Sequence, residues 1–598
     1  MSDLDPRTVE PASSGDGHQK GDGMSQTSEK RDVEHIDDVV GRDFEVDAEE
    51  LPPGYFTSSF FLGSMAAISL GLVAGVSGFG YAAPILANIN ADIGPDPNIV
   101  WVALSYTLTS AVALTIIGRV SDIFGRRWIF VGGAVLGVIG SIVCATAQSV
   151  NALIGGTTII GIAAATQLSY YYVMGELVPM KYRLAGNAVC YLFTIPGSGI
   201  APVVSWSLML DHPKVGWRGG YYILIALNTA SLACWLLFYH PPTFRMKHGN
   251  ASVLKYIKEF DYVGTTVYTG GLLILIMGLN WGGTVYAWDS AAVITTIVVG
   301  FVALVAFVLW EIYADLKEPL VPMHLFNNRS WNASVILSGL GASVYYAFAI
   351  VWPSMVNVLY NDGSQIKAAW FMSFVGLFIV TGEIVGGFLA KYIGYLKWQC
   401  VVSVAISAIC FGCMATSTVD SKVAACTLVS LGVFFIGWAE SLAITMVTLS
   451  AKDQNNLGSA SGVAGSIRFF ISSIAATVYS VILSNRLTTT ISEQVPSAVI
   501  DAGLPSSSVA DFIGALGGTV SMEDVKGVTA DIIAAGTAAY KEANVLAYRT
   551  VFLTSVAFSG VALISSLLLP DFDHLLTNKV ATTLQRGNNE NEVVGEKR

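Results

Sequence analysis

Long apolar runs alternate with short polar breaks along almost the whole chain, and their length marks them as membrane helices. Each run holds roughly 20 apolar residues, enough to cross ~30 Å of hydrocarbon. The pattern predicts fourteen spans, at 59–83, 99–118, 128–147, 151–173, 185–207, 219–239, 262–280, 290–311, 331–352, 367–389, 397–417, 422–446, 458–484 and 549–569. Trp281-Gly282-Gly283 and Trp288-Asp289 mark an interfacial turn between the seventh and eighth. Residues 1–54 are polar, acidic and spotted with Gly and Ser, so they read as a disordered tail. The first apolar run begins near Ser59, so no cleavable leader is expected and that span serves as its own insertion signal.

Lys and Arg fall unevenly across the breaks. With the tail inside, the short cytosolic loops carry fourteen of them and the short outer loops four, Lys214, Arg218, Lys367 and Lys422. Positive loops stay in the cytosol, so both termini are expected there. The same orientation makes 485–548 a long outer loop, a surface excursion in which Met522–Leu546 has the pattern of an amphipathic helix lying on the bilayer.

Composition agrees. A hydrophobic share of 53% with 13% charged residues departs from the ~25% charge of soluble domains. Of the net charge of -11, the first 54 residues supply most, with five Lys/Arg against fifteen Asp/Glu. The rest is nearly neutral, which leaves no basis for nucleic-acid binding. All seven cysteines lie in or beside apolar runs, Cys410-Phe-Gly-Cys413 included, and read as packing residues. Sequons at Asn250, Asn328 and Asn332 fall on cytosolic or intramembrane positions and are discounted. No Walker motif, zinc spacing or Ser-His-Asp arrangement occurs, so neither an enzyme nor a cofactor or metal site is expected.

Chemistry concentrates in a few places. In the turn Gly118-Arg119-Val120-Ser121-Asp122-Ile123-Phe124-Gly125-Arg126-Arg127, Gly118, Asp122 and Gly125 share one helix face. Glycines there let helix backbones meet, and a carboxylate beside arginines can form a charge-assisted cluster, a conformational latch. Gly387-Phe-Leu-Ala-Lys391-Tyr-Ile-Gly394-Tyr-Leu-Lys397 repeats that spacing after the tenth span. The repeat implies two related six-helix bundles, 55–245 and 329–572, with 246–328 an inserted two-helix hairpin and 573–598 a cytosolic tail. A substrate cavity then lies between the halves near mid-membrane.

Intramembrane charges are costly and mark function. Arg468 sits about 15 Å into the thirteenth span, and Glu440 and Glu383 lie inside the twelfth and tenth; these three are the candidates for proton coupling. Glu176, at the cytosolic rim, reads as a helix terminator with local ion pairing. Pro196, Gly197, Ala201 and Pro202 should bend the fifth span. Gln167, Tyr170, Tyr171, Asn187, Asn228, Tyr345, Tyr346 and Trp352 are candidates to line a cavity for a bulky, mostly apolar ligand.

The 118–127 turn resembles motif A of the major facilitator superfamily, and 197–206 resembles in part the antiporter motif C. Further stretches, Trp217-Arg218-Gly219-Gly220-Tyr221-Tyr222-Ile223, Tyr239-His240-Pro241-Pro242-Thr243-Phe244, Asp261-Tyr262-Val263-Gly264 leading to Leu279-Asn280-Trp281-Gly282-Gly283, and Ala547-Tyr548-Arg549 to Asp571, resemble fungal fourteen-span transporters over roughly residues 45–575. The chain is most similar to the trichothecene efflux pumps among them. That resemblance implies an all-α major facilitator fold of about fourteen helices (6 + 2 + 6). It also implies proton-driven export of a small amphipathic sesquiterpenoid toxin across the bilayer, giving self-protection. The plasma membrane is the expected location, with vacuolar or vesicle membranes as alternatives. A siderophore-iron importer of the same fold and a non-transporting sensor are the rival readings. Two departures stand out: Thr157 replaces the motif arginine of the fourth span, and Gly75 stands near the first-span aspartate. Both shift weight to Glu440, Glu383 and Arg468.

Overall fold

A computed structural model describes residues 46–47, 54–241, 244, 252–283, 285–451, 457–517 and 521–580. The acidic tail up to residue 45, the 581–598 tail and the sequon at Asn250 lie outside them. Two short strands, β1 (Val46–Asp47) and β2 (Lys579–Val580), pair antiparallel; the other regular elements among the described residues are helices.

In chain order the helices are α1 (Ser59–Gly80), α2 (Leu86–Ile93), α3 (Trp101–Phe124), α4 (Arg126–Thr146), α5 (Val150–Gln167), α6 (Tyr170–Leu177), α7 (Arg183–Thr194), α8 (Ala201–Asp211), α9 (Arg218–Phe238), α10 (Val253–Glu259), α11 (Tyr262–Trp281) and α12 (Ala291–Tyr313). Then come α13 (Arg329–Met355), α14 (Gln365–Met372), α15 (Phe374–Ile393), α16 (Leu396–Met414), α17 (Lys422–Ser450), α18 (Leu457–Asp501), α19 (Val509–Leu516) and α20 (Ala530–Leu568). Twelve segments among the described residues are by themselves long and apolar enough to span a bilayer, and a bent segment, 180–211, makes a thirteenth. Helix α13, 27 residues long, covers the ninth run of the sequence pattern.

Polar caps start many of these helices in an apolar medium where an orphan N–H is costly. Ser58, Ser149, Ser290 and Thr529 accept from backbone N–H groups of α1, α5, α12 and α20, and Asn328 accepts two from α13. Tight turns use Gly125 at φ 89° and Gly394 at φ 69°, where a side chain would be strained. Helix α12 shows Val298, Phe301 and Val302 on its outer surface, as a lipid-facing helix should.

Helices α1, α3, α4, α5, α7 and α9 pack on one another, as do α13, α15, α16, α17, α18 and α20. Two seams join the sets, α3 against α18 and α7 against α15. Helices α11 and α12 pair together, and α11 lies on α3 and α18. There Thr115 Oγ1 meets Tyr268 Oη at 2.9 Å and Ser466 Oγ at 2.7 Å, one hydroxyl node tying three helices.

The stretch read from the sequence as an outer loop has regular structure of its own. Residues 485–548 are largely helical: α18 runs unbroken to Asp501 and α20 begins at Ala530. The two extensions pack together and enclose a small core of Val495, Val499, Leu504, Phe512, Val525 and Ile532. From Ala530 onward the Met522–Leu546 stretch is the start of α20 itself, so it continues a span instead of lying across the membrane. Its apolar positions face α18 and α19, which is why its pattern looks amphipathic.

Glycines set the closest approach in the second set. A Cβ on Gly437 would run into the Ile379 carbonyl, and one on Gly382 into that of Phe434, so α15 and α17 meet backbone to backbone. Replacing Gly437 by Val should cost about 1–3 kcal/mol by overpacking and lower the thermal midpoint of the purified protein. Gly132→Ala, where a Cβ meets nothing within 4 Å, should leave it unchanged.

Candidate functional site

The 118–127 turn closes one end of the α3–α18 seam. Gly118 lies against Gly458 and Gly462: a Cβ on it would strike the Gly458 carbonyl and stand 3.0 Å from the Gly462 Cα. This contact brings Asp122, one turn further along α3, to the start of α18. Its Oδ1 accepts from Arg126 Nη2 at 2.9 Å and Gly458 N at 3.1 Å, and its Oδ2 from Ser459 N at 2.6 Å and Ser459 Oγ at 2.8 Å. A carboxylate thus caps the positive end of a 45-residue helix from a different part of the chain.

Arg126 is buried, ion-paired also with Glu176, and lies over the Tyr172 ring at 4.6 Å. Glu176, read from the sequence as a helix terminator with local ion pairing, is therefore an ion-paired member of the cluster. Arg127, grouped with the latch from sequence, turns away and donates to the Leu236 carbonyl at 2.8 Å. Arg119 likewise points elsewhere, to Glu318 at 2.5 Å.

The second seam uses the echo of this turn. A Cβ on Gly387 would crowd Ala188 and the Leu184 carbonyl of α7. At the position of Asp122 the echo has Lys391, which cannot cap a helix start and instead lies 4.2 Å over the Tyr182 ring. Arg183 donates to the Thr448 carbonyl and Asn187 to Thr445 Oγ1 at 3.0 Å. The chain after α20 adds a strap: Asp573 accepts from Tyr395 N and Leu396 N, and the Thr577 carbonyl accepts from Lys181 N at 3.0 Å.

Between the seams lies a central cavity of about 90 Å³, lined by Glu383, Glu440 and Arg468 with Tyr170, Tyr171, Tyr191 and Tyr345. The three ionisable residues predicted for the membrane interior therefore meet, from α15, α17 and α18. Arg468 Nε donates to Glu440 Oε1 at 3.0 Å, and Glu440 is 1% exposed. Among the described residues no group hydrogen-bonds the Glu383 carboxylate. That space has room for a few waters and is well under the ~300–1,000 Å³ of drug-sized sites.

Several predicted cavity residues lie elsewhere. Gln167 and Asn228 bond each other at 2.5 Å in the first set of helices, Asn187 sits in the α7 seam, and Trp352 is buried with its indole on the Phe371 carbonyl. The side chain of Tyr346 is outside the described residues. Tyr191, Thr194, Ser198 and Ser338 line the cavity without having been singled out; nothing in their local pattern distinguishes them from other helix positions. Pro196, Gly197, Ala201 and Pro202 do bend the fifth span, by 43° through a π turn at Ile195–Gly199. Gly197 lies against Val73 and Ser77 of α1, and a Cβ on Gly376 would run into the Ser198 carbonyl, which packs the far end of the α7–α15 seam.

The two departures from the antiporter pattern are neutral hydrogen bonds here. Thr157 meets Ser105 at 2.8 Å, and the Gly75 carbonyl accepts from Tyr106 at 2.7 Å. All seven cysteines are free thiols. Among the described residues no group of three or more His, Cys, Asp and Glu is placed to hold a metal.

Breaking a buried, hydrogen-bonded charge pair costs ~3–5 kcal/mol. Asp122→Asn should therefore insert normally yet loosen the α3–α18 seam, so that a cysteine at Ala460, 1% exposed, becomes reactive to a polar thiol reagent. Arg127→Ala should leave it protected.

Comparison with known proteins follows the same line. The family model described as fungal trichothecene efflux pump (TRI12) matches residues 27–597. The trichothecene efflux pump TRI12 of Trichoderma arundinaceum is 30% identical over 549 residues, covering 89% of this chain and 90% of that protein. The pump of the same name from Fusarium sporotrichioides is 28% identical over 542 residues, with the same coverage of both chains. Among solved structures, the human organic anion transporter MFSD10 aligns with TM-score 0.51 and 12% identity over 87% of this chain and 100% of that one, a likeness of fold. The chain belongs to the fungal trichothecene efflux pump family of major facilitator membrane proteins.

Proposed function

We propose that this protein exports a sesquiterpenoid toxin of the trichothecene class from the fungus that makes it, in exchange for protons. The relatives named as trichothecene efflux pumps support the cargo and direction. The observation that carries the coupling is the cavity in which an unbonded Glu383 faces the Arg468–Glu440 pair. A carboxylate and a competing ion pair in one low-dielectric space form a switch. With Glu383 protonated, Arg468 stays on Glu440; when Glu383 releases its proton, its charge competes for Arg468 and shifts α18 relative to α15.

Helix α18 is also the helix that Asp122 caps, so a change at Arg468 reaches the latch along one rigid element. The latch closes the cytosolic side, both termini lie in the cytosol, and the plasma membrane is the site of export. The bundles 55–245 and 329–572 rock about the cavity, with 246–328 an inserted hairpin carried on the α3–α18 seam. Cargo enters when the Asp122 contacts open, since the closed cavity is too small to admit it. The bend at Pro196–Pro202 lets the far seam part in turn.

Inverted vesicles containing the protein should accumulate a labelled trichothecene under an inward-acid proton gradient, and a protonophore should abolish the accumulation. Glu383→Gln should retain insertion and cargo binding but lose the response to the gradient. Accumulation that persists with the protonophore would sink proton coupling, and growth rescue on a ferri-siderophore would favour import instead.

A further inference from the structure

Far from the cavity, where α11 and α12 meet the chain that follows them, two carboxylates are buried together. Asp261 is 4% exposed and Glu311 8%. Asp261 Oδ1 caps α11 through Gly264 N at 2.8 Å and accepts from Trp310 Nε1 at 3.1 Å. Glu311, the residue after Trp310, accepts from Val321 N at 3.1 Å through Oε1. Among the described residues, the other oxygen of each, Asp261 Oδ2 and Glu311 Oε2, is buried and makes no hydrogen bond of good geometry, although the Leu320 backbone amide also lies close to the Glu311 carboxylate. A Cβ on Gly264 would collide with Asp261 Oδ2, so the glycine leaves that oxygen room inside the fold.

Two unpartnered, buried acceptors on neighbouring acids are costly if both acids are ionised. Two basic groups of the adjoining chain are committed elsewhere. Arg119 of α3 is paired with Glu318 of the chain after α12, and Lys317 with Glu259 of α10. A proton placed on the pair turns one acceptor into a donor and removes the like-charge repulsion. We propose that Asp261 and Glu311 together form a proton-binding site in the α11–α12 hairpin, separate from the central cavity and holding one proton between the two acids.

The site adjoins Arg119, one residue from Gly118 on the latch helix. Loss of its proton leaves a second negative charge beside Arg119, in competition with Glu318, so the docking of the hairpin on α3 depends on proton occupancy. This claim stands independently of cargo and of Glu383.

The test uses the full-length protein in lipid bilayers and pH-difference infrared spectroscopy of the protonated carboxyl C=O stretch, with Glu383→Gln/Glu440→Gln as the background to remove cavity signals. A carboxyl band should remain in that background at neutral pH, disappear on alkalinisation, and be lost in Glu311→Gln or in Asp261→Asn. The two substitutions are alternatives, so failure of one to fold leaves the other to decide. A band that survives either folded substitution, or no titrating band at all in the background, would overturn the proposal.

Discussion

Asp122 is a carboxylate sealed at a helix seam, and its satisfaction requires two distant pieces of chain to be in contact. An ionised carboxylate offers about four acceptor sites. Here they are filled by Arg126, by two backbone N–H groups at the start of α18 and by the Ser459 hydroxyl. Three of these four donors come from across the seam. The buried charge is well solvated only in the closed arrangement or in water, and poorly anywhere between. Glycines at 118, 458 and 462 make the closed arrangement a backbone contact with no side chain to cushion it.

The matching seam is built from the same spacing with opposite electrostatics. Lys391 stands where an aspartate would cap a helix start, so α7 and α15 meet through Gly387 and the Tyr182 ring, while Arg183 and Asn187 tie α7 to α17. The strap through Asp573 and Thr577 adds contacts on this side. The cavity shows a parallel asymmetry. Its ionisable groups come from α15, α17 and α18, while the first set of helices supplies tyrosines. The two first-set positions that depart from the resemblance noted in the sequence, Thr157 and Gly75, are each held by a neutral hydrogen bond.

Much of this architecture was legible in the chain alone. Hydropathy marks membrane spans because the bilayer demands about 20 apolar residues per crossing. The spacing of Gly118, Asp122 and Gly125 and its echo at Gly387–Lys397 follow from helix periodicity. Arg468, Glu440 and Glu383 stood out because charge inside a membrane is expensive. The bend at Pro196–Pro202 follows from the missing backbone donors of proline.

Tertiary structure decided the partners. Nothing local says that Asp122 meets Ser459, that Glu176 joins Arg126, or that Arg127 does not, because these depend on which helix faces meet across hundreds of residues. The same holds for Gln167 and Asn228, whose polar groups satisfy each other in place of a ligand. Hydropathy could not show that α18 and α20 continue beyond the bilayer, since a helix with one wet face there has the average composition of a loop. Composition and period thus determined where helices cross, while the pairing of buried polar groups, a property of faces in contact, was settled only in three dimensions.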